Sequence, residues 1–299
     1  MRARGLAGAR LIVTADDFGA AEPVNEAVER AHRDGILTAA SLMVAAPAAA
    51  DAVRRAKASP GLRVGLHLTL AEGRPMLPSE QVSLLVDADG GFRTDMAAAG
   101  ARMFFDPVAR RQLAAEIEAQ FAAFAATGLP LDHVNAHKHF HLHPTIGGFI
   151  VRIGRRYGLS AVRAPREPLS VIRKLEPASA SFGAGAVSAF ARLAAMRFRR
   201  AGLLVPDQVF GLAWSGAMTS KRLAGLIRGL PQGLSEIYLH PGLDGEFAGA
   251  AAGYRYAEEF AALVDLDVRR ATQEAGVQLG GFVDFQTAGA GQMKPGSRG

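Results

Sequence analysis

Short apolar runs separated by longer stretches of helical periodicity recur along nearly all of this 299-residue chain, and that alternation limits the fold more than any other feature. Residues 11–14 read as a buried strand. Residues 23–33 read as a helix, with Pro23 early, Val24, Ala27, Val28 and Ala31 on one face, and Gly35 as the stop. Further strands are expected at 37–44 and 64–70, around a helix at 47–58 that Pro60-Gly61 ends. Asp106-Pro107 is a helix start with Asp as N-cap, and Leu113, Ile117, Phe121 and Phe124 then recur at helical spacing up to Gly128. Strands at 131–136, 159–163, 208–213, 234–239 and 277–283 follow, separated by helices at 145–157, after Thr219, and at 254–275. Alternation of this kind implies a parallel sheet with helical crossovers. About eight such units suggest a TIM-like (β/α) barrel, distorted, with an open doubly wound sheet as the alternative. A single domain is expected over 10–285, with tails at 1–9 and 286–299 and irregular insertions at 71–105 and 164–207 over one end.

Composition removes several function classes. Without cysteine there are no disulfides and no thiolate ligands. No apolar run reaches the roughly 18 residues of a spanning helix. The apolar stretch 11–13 is too short for a signal core, so a cytoplasmic location is expected. The net charge of +6 suits an anionic lipid or substrate; no nucleic-acid motif accompanies it, so no nucleic-acid partner is expected.

Polar residues fall where such a fold gathers them. Asp16-Asp17 follows the first strand, His67 lies near the end of the third, His137 follows the run 131–136, and Arg163 and His240 close two later strands. Strand C-terminal ends in parallel α/β folds share one face, where sites are built. Five of the eight histidines lie between 133 and 143 at odd spacing, on one face of any extended segment. Same-face neighbours there are about 6.5–7 Å apart, too far for all to bind one ion, so one ligand is expected, with the others lining a pocket. Two imidazoles and one carboxylate from Asp16, Asp17, His67 and His137 leave an open position for water on a catalytic metal, while the other carboxylate takes a proton.

The motifs TADDFG (14–19), GLHLTL (65–70), NAHKHFHLHP (135–144) and LHPG (239–242) resemble the YdjC-like carbohydrate deacetylase family, which includes the ChbG-type enzymes. The segment RRAGLLVPDQVFGLAWSGAMTS (199–220) is most similar to the hopanoid-associated, HpnK-type branch. The resemblance implies a hydrolase that removes the acetyl group of N-acetylglucosaminyl-bacteriohopanetetrol. It implies Asp16 as base, Asp17, His67 and His137 as metal ligands, and His240 as acid. One divalent ion is expected; the ligand set favours Zn²⁺ and admits Mg²⁺. Where the family often reads D-S-H-H-H, this chain has Asn135-Ala136-His137-Lys138-His139, which alters any supporting role at position 135. Arg163 and Arg166 are expected to orient Asp16 or bind substrate, and His139 and His141 to line the substrate pocket.

A membrane-embedded substrate requires contact with a membrane. Residues 186–205 mix Phe190, Leu193, Phe198 and Leu203 with Arg192, Arg197, Arg199 and Arg200, which suits peripheral contact with a lipid interface or a surface helix packed on the scaffold or on a second copy in a homodimer. Trp214, the single tryptophan, is either a sugar platform or core. The competing readings are a deacetylase of soluble chitooligosaccharides, a phosphoesterase (disfavoured by the lack of a Gly-rich phosphate cradle), and a non-catalytic metal- or lipid-binding protein.

Overall fold

The structure, a computed structural model, describes residues 8–177 and 184–286, and the side chains of 184–189 are not described. The expected tails therefore lie almost wholly outside the described residues, as does the start of 186–205. Six parallel strands form one curled sheet in the order β4-β3-β2-β1-β6-β5: β1 (Arg10–Phe18), β2 (Ala39–Leu42), β3 (Arg63–Leu68), β4 (Val134–Ala136), β5 (Gln208–Phe210) and β6 (Leu234–Leu239). A two-residue β7 (Gln278–Leu279) pairs with the start of β1. Every residue of β2 and β6 is buried, as are Leu11, Ile12, Val13, Thr14, Ala15 and Asp16 of β1, because helices cover the outer face.

The helical crossovers form where periodicity places them. α1 (Glu22–Asp34) buries Val24, Ala27, Val28 and Ala31. α2 (Ala49–Ala58) joins β2 to β3, and α4 (Pro107–Ala126) buries Leu113, Ile117, Phe121 and Phe124. The Asp106 carboxylate caps α4 by accepting from the N–H groups of Val108 and Ala109, at 2.7 and 3.2 Å. α5 (Pro144–Gly154) follows β4, and Thr219 caps α8 (Ser220–Arg228).

Four expectations need correction. The strand expected at 159–163 forms only isolated bridges, Val134 to Val162 and Ala161 to Leu204. Pro165 lacks the N–H needed to continue a ladder. The segment still spans the outer strands, because the N–H of Val209 donates to the Arg166 carbonyl at 3.1 Å. These links fit a distorted (β/α) barrel. The helix expected over 254–275 is two, α9 (Tyr256–Val264) and α10 (Leu266–Ala275), since Asp265 turns extended and caps the second. The strand expected at 277–283 shortens to β7, with a 3-10 turn at Val283–Phe285. Both insertions contain helices: α3 (Met96–Phe105) in the first, α6 (Leu169–Leu175) and α7 (Ala184–Arg200) in the second. α7 buries Ala191, Ala194, Ala195 and Phe198, a helical stripe, and leaves Phe190, Leu193 and Met196 exposed.

Candidate active site

The C-terminal ends of β1, β3, β4 and β6 meet at a cavity of about 320 Å³. The pairing of β1 with β2 shifts register between Ala15 and Phe18. Asp17 there takes φ 61°, a left-handed conformation costly for a residue with a Cβ. The irregularity turns both Asp16 and Asp17 toward the cavity, which they line. Gly19 beyond them has φ 101°, and a Cβ there would sit 3.1 Å from the Met43 carbonyl.

The histidine-rich segment is not extended. After β4 the chain enters a 3-10 turn, His137–Leu142, in which Lys138 and His139 both have positive φ, 54° and 55°. The turn separates the ring directions that odd spacing in an extended chain would align. His137 faces Asp17, His139 faces Tyr238, and His141 is fully buried without lining the cavity. All four non-glycine residues with positive φ among the described residues, Asp17, Glu72, Lys138 and His139, line this one cavity, a concentration of backbone strain typical of functional sites.

Asp17, His67 and His137 form a possible metal-binding triad, with one ligand atom from each lying within 4.8 Å of the others. Asp17 Oδ1 is 3.2 Å from His67 Nε2 and 3.0 Å from His137 Nδ1. His67 Nε2 is buried and makes no hydrogen bond. In the neutral ring with its proton on Nδ1, that atom presents a lone pair to a carboxylate oxygen, an arrangement that needs a cation between them. Burial would raise the Asp17 carboxyl, but His137 and His67 hold it well below the usual range. The donor set, two imidazoles and one carboxylate, fits a catalytic divalent ion with an open position.

Asp16 sits beside this cluster in a buried network. Arg163 Nη1 donates to its Oδ2 at 2.5 Å and Nη2 to its Oδ1 at 2.9 Å. The same guanidinium donates through Nε and Nη2 to Glu236 Oε1, at 2.9 and 2.7 Å, and lies 4.5 Å from the centre of the Tyr238 ring. Burial opposes the charge on Asp16, yet Arg163 holds its carboxyl well below the usual carboxylate range. Arg163 thus lies fully buried among Asp16, Glu236 and Tyr238, and among the described residues it does not line the cavity.

His240, just past β6, lines the cavity with its backbone N–H donating to Glu259 Oε2 at 2.5 Å. Burial disfavours its charged form, but Glu259, Asp17 and Asp16 outweigh that and raise its pKa. His139 and His141 move the other way. Burial first, then neighbouring positive groups, pushes His139 well down and His141 to about 3, so both rings are neutral.

Besides Arg163 and His141, two further expected contacts lie away from the cavity. Glu167 accepts hydrogen bonds from the N–H groups of Gly211, Leu212 and Ala213, at 2.9, 3.1 and 2.9 Å, and this pinned turn sends Trp214 into the core at 3% exposure with Arg222 over its ring. The Arg166 side chain also does not line the cavity. Sequence reasoning missed Glu72, Tyr238, Tyr254 and Tyr256, which do. Tyr238 and Glu236 carried a signal: they fall at alternate positions of β6, in step with His240 just past its end, and so share one face.

A parallel α/β scaffold with a His₂Asp cluster and a carboxylate–guanidinium pair at its strand ends defines a protein with a candidate metal centre at the mouth of a curled sheet. The chain belongs to the family described as YdjC-like protein, whose match covers residues 10–274. It is 38% identical over 148 residues to the carbohydrate deacetylase of Brevibacillus brevis, 50% of this chain and 56% of that one. The chain thus spans about half the length of that relative and of the Vibrio vulnificus carbohydrate deacetylase, which is 39% identical over 148 residues. The carbohydrate deacetylase of Geobacillus stearothermophilus is 31% identical over 278 residues, 92% of this chain and 97% of that one. The crystal structure of a proposed cellobiose-phosphate cleavage protein from Enterococcus faecalis V583 has the same fold, with a TM-score of 0.73 at 24% identity over 94% of this chain and 100% of that one.

Proposed function

We propose that this protein is a metal-dependent hydrolase that removes the acetyl group from an N-acetylglucosaminyl sugar carried on a hopanoid lipid such as N-acetylglucosaminyl-bacteriohopanetetrol. The observation that carries the reading is the buried, unpartnered Nε2 of His67 facing Asp17 Oδ1 at 3.2 Å beside His137. Asp17, His67 and His137 would hold a divalent ion, Zn²⁺ by ligand type or Mg²⁺, and when bound it would supply a Lewis acid for an amide carbonyl and a more acidic water. Asp16 takes a proton from the attacking water. Its low pKa makes it a weak base toward free water, and a water acidified by a bound ion would be within its reach. His240, whose pKa the neighbouring Glu259 carboxylate raises, donates a proton to the sugar nitrogen as the C–N bond breaks. Water adds to the acetyl carbon, and acetate and a free amine leave.

The sugar needs an aromatic face, and Tyr254 offers one. It is partly accessible, whereas Tyr238 and Tyr256 are 2% and 5% exposed. Its hydroxyl is 2.8 Å from Ser215 Oγ, its ring lies 5.0 Å from His240, and a Cβ on Gly216 would fall 2.3 Å from ring atoms. A cavity of about 320 Å³ is near the small end of ligand pockets (roughly 300–1,000 Å³) and suits one ring with its acetamido group. The remainder of the substrate then lies outside. Exposed Phe104 and Phe105 on α3, and Phe190, Leu193 and Met196 beside Arg192, Arg197 and Arg200 on α7, support a lipid carrier met at the inner face of a membrane. No described helix is long and apolar enough to cross one.

The test is acetate release from N-acetylglucosaminyl lipid in vesicles and from chitobiose, before and after chelation, with bound metal quantified. Release from the lipid, lost on chelation and restored by zinc, is the expected result. Release from chitobiose alone would assign the soluble substrate. A fully metallated preparation that frees acetate from neither would end the reading.

A further inference from the structure

Six buried polar residues form a chain of hydrogen bonds from the start of β4 to the candidate metal centre. Asp132, His133, Ser41, Asn135, His67 and Asp16 are each 2% exposed or less. With both imidazoles neutral, the hydrogen-bonding chemistry of their partners fixes every donor and acceptor. Asp16 Oδ1 already accepts from Arg163 Nη2, so it is the Asn135 amide nitrogen that faces it, at 3.0 Å. The second hydrogen of that nitrogen goes to Ser41 Oγ, also at 3.0 Å. Asn135 therefore turns its carbonyl oxygen to His67 Nδ1, 2.7 Å away, and His67 Nδ1 must be the protonated nitrogen.

The other end gives the same direction. The Asp132 carboxylate accepts from the N–H groups of Phe282 and Val283, at 3.2 and 2.9 Å, and lies 2.9 Å from His133 Nδ1. His133 thus carries its proton on Nδ1 and accepts at Nε2 from the Ser41 hydroxyl, 3.0 Å away. Ser41 Oγ accepts from Asn135 and donates to His133, so no hydrogen is left over and no lone pair meets another.

We propose that Asp132, His133 and Ser41 are positioning residues which, through Asn135, lock His67 in the tautomer whose Nε2 lone pair faces the ion. The proposal rests on reading Asp17, His67 and His137 as the ligands. It gives Asn135 a function that an aspartate could not perform, because a carboxylate has no hydrogen to donate to both Asp16 and Ser41. Partners of this kind fix ligand tautomer and orientation, and losing one typically lowers metal affinity about 10- to 100-fold.

The test is the imidazole ¹⁵N spectrum of the zinc-saturated protein, which distinguishes protonation at Nδ1 from Nε2, together with Zn²⁺ affinity. Wild-type protein is expected to show His67 and His133 both protonated on Nδ1. Ser41→Ala removes the link, and Asp132→Asn sets an amide against His133. Both are expected to mix the His67 tautomers and to weaken zinc binding at least tenfold. A wild-type spectrum with the His67 proton on Nε2 overturns the proposal whether or not a variant folds. So do folded variants that keep both the spectrum and the zinc affinity. The spectrum needs no substrate and no turnover, so this result is separable from failure of the deacetylase reading.

Discussion

Two cavities of nearly equal size open at the two ends of β3, about 310 Å³ at Arg63 and about 320 Å³ at His67, and their polar groups behave differently. At the first, Arg63 is paired with Asp284 through two hydrogen bonds of 3.1 and 2.8 Å, and Asp132 is saturated by two backbone N–H groups and His133. At the second, His67 Nε2, His139 Nδ1 and His240 Nδ1 are buried without a hydrogen bond. Native proteins rarely leave such atoms unmet, so the difference marks where a ligand belongs. Volume does not. His133 and His67 make the same point one strand apart, since the first has both nitrogens bonded and the second has one.

The largest expected effect tests the unmet end directly. Asp17→Ala should abolish stoichiometric zinc binding and lower kcat/KM by more than about a thousandfold, since several kcal/mol of charge stabilisation depend on the ion. Retained metal with retained activity would move the centre elsewhere. Asp16→Asn should keep the metal but lower kcat about 10²- to 10⁴-fold, the range for a lost general base. A non-catalytic binding protein would instead be indifferent to it. Tyr254→Ala should act on KM more than kcat, by about tenfold, with Tyr254→Phe near wild type. A Tyr254→Phe loss confined to kcat would make the hydroxyl a reacting group and remove the platform.

Glu259→Gln tests pH dependence. His240 has its pKa raised in the folded protein, so its proton is held above the usual histidine value of about 6.5 and is lost as pH rises through the raised value. The alkaline limb of kcat/KM should therefore lie above that value in wild type and move down in Glu259→Gln, with little change at acidic pH where His240 is protonated in both. An unmoved limb would assign it to another group.

The convergence of Asp16, Asp17, His67, His137, Arg163 and His240 was legible because each lies at or just past an apolar run, and parallel strands send those positions to one face. The same rule, applied at period two along β6, reaches Glu236 and Tyr238. Tyr254 and Tyr256 had no such signal. They flank the end of the irregular stretch 240–255, which owes its course to tertiary contacts such as the Leu243 N–H to the Pro23 carbonyl at 3.2 Å. Trp214, open from residue type to either a sugar platform or the core, is core: β5 ends at Phe210 and Gly211, with φ 132°, turns the chain inward. The left-handed pair Lys138-His139 also escapes pattern reading, since neither residue type announces a positive φ.

The smallest expected effect lies at the satisfied cavity. Arg63 and Asp284 retain 40% and 33% side-chain exposure, so solvent screens them and the pair contributes at most about 1 kcal/mol. Arg63→Met should lower Tm by only about 2–4 °C and leave kcat/KM within twofold. The position is informative because a Cβ on Gly281 would fall 2.3 Å from Arg63 Cγ and 3.1 Å from Asp132 Oδ1, so Arg63 shares its surroundings with the outer end of the hydrogen-bond chain to His67. Measuring Tm and zinc affinity together separates two cases. A small fall in Tm with unchanged affinity means Asp132 is anchored by the backbone of Phe282 and Val283. A tenfold loss of affinity would mean that the satisfied end is held in place by this ion pair and extends its influence to the metal.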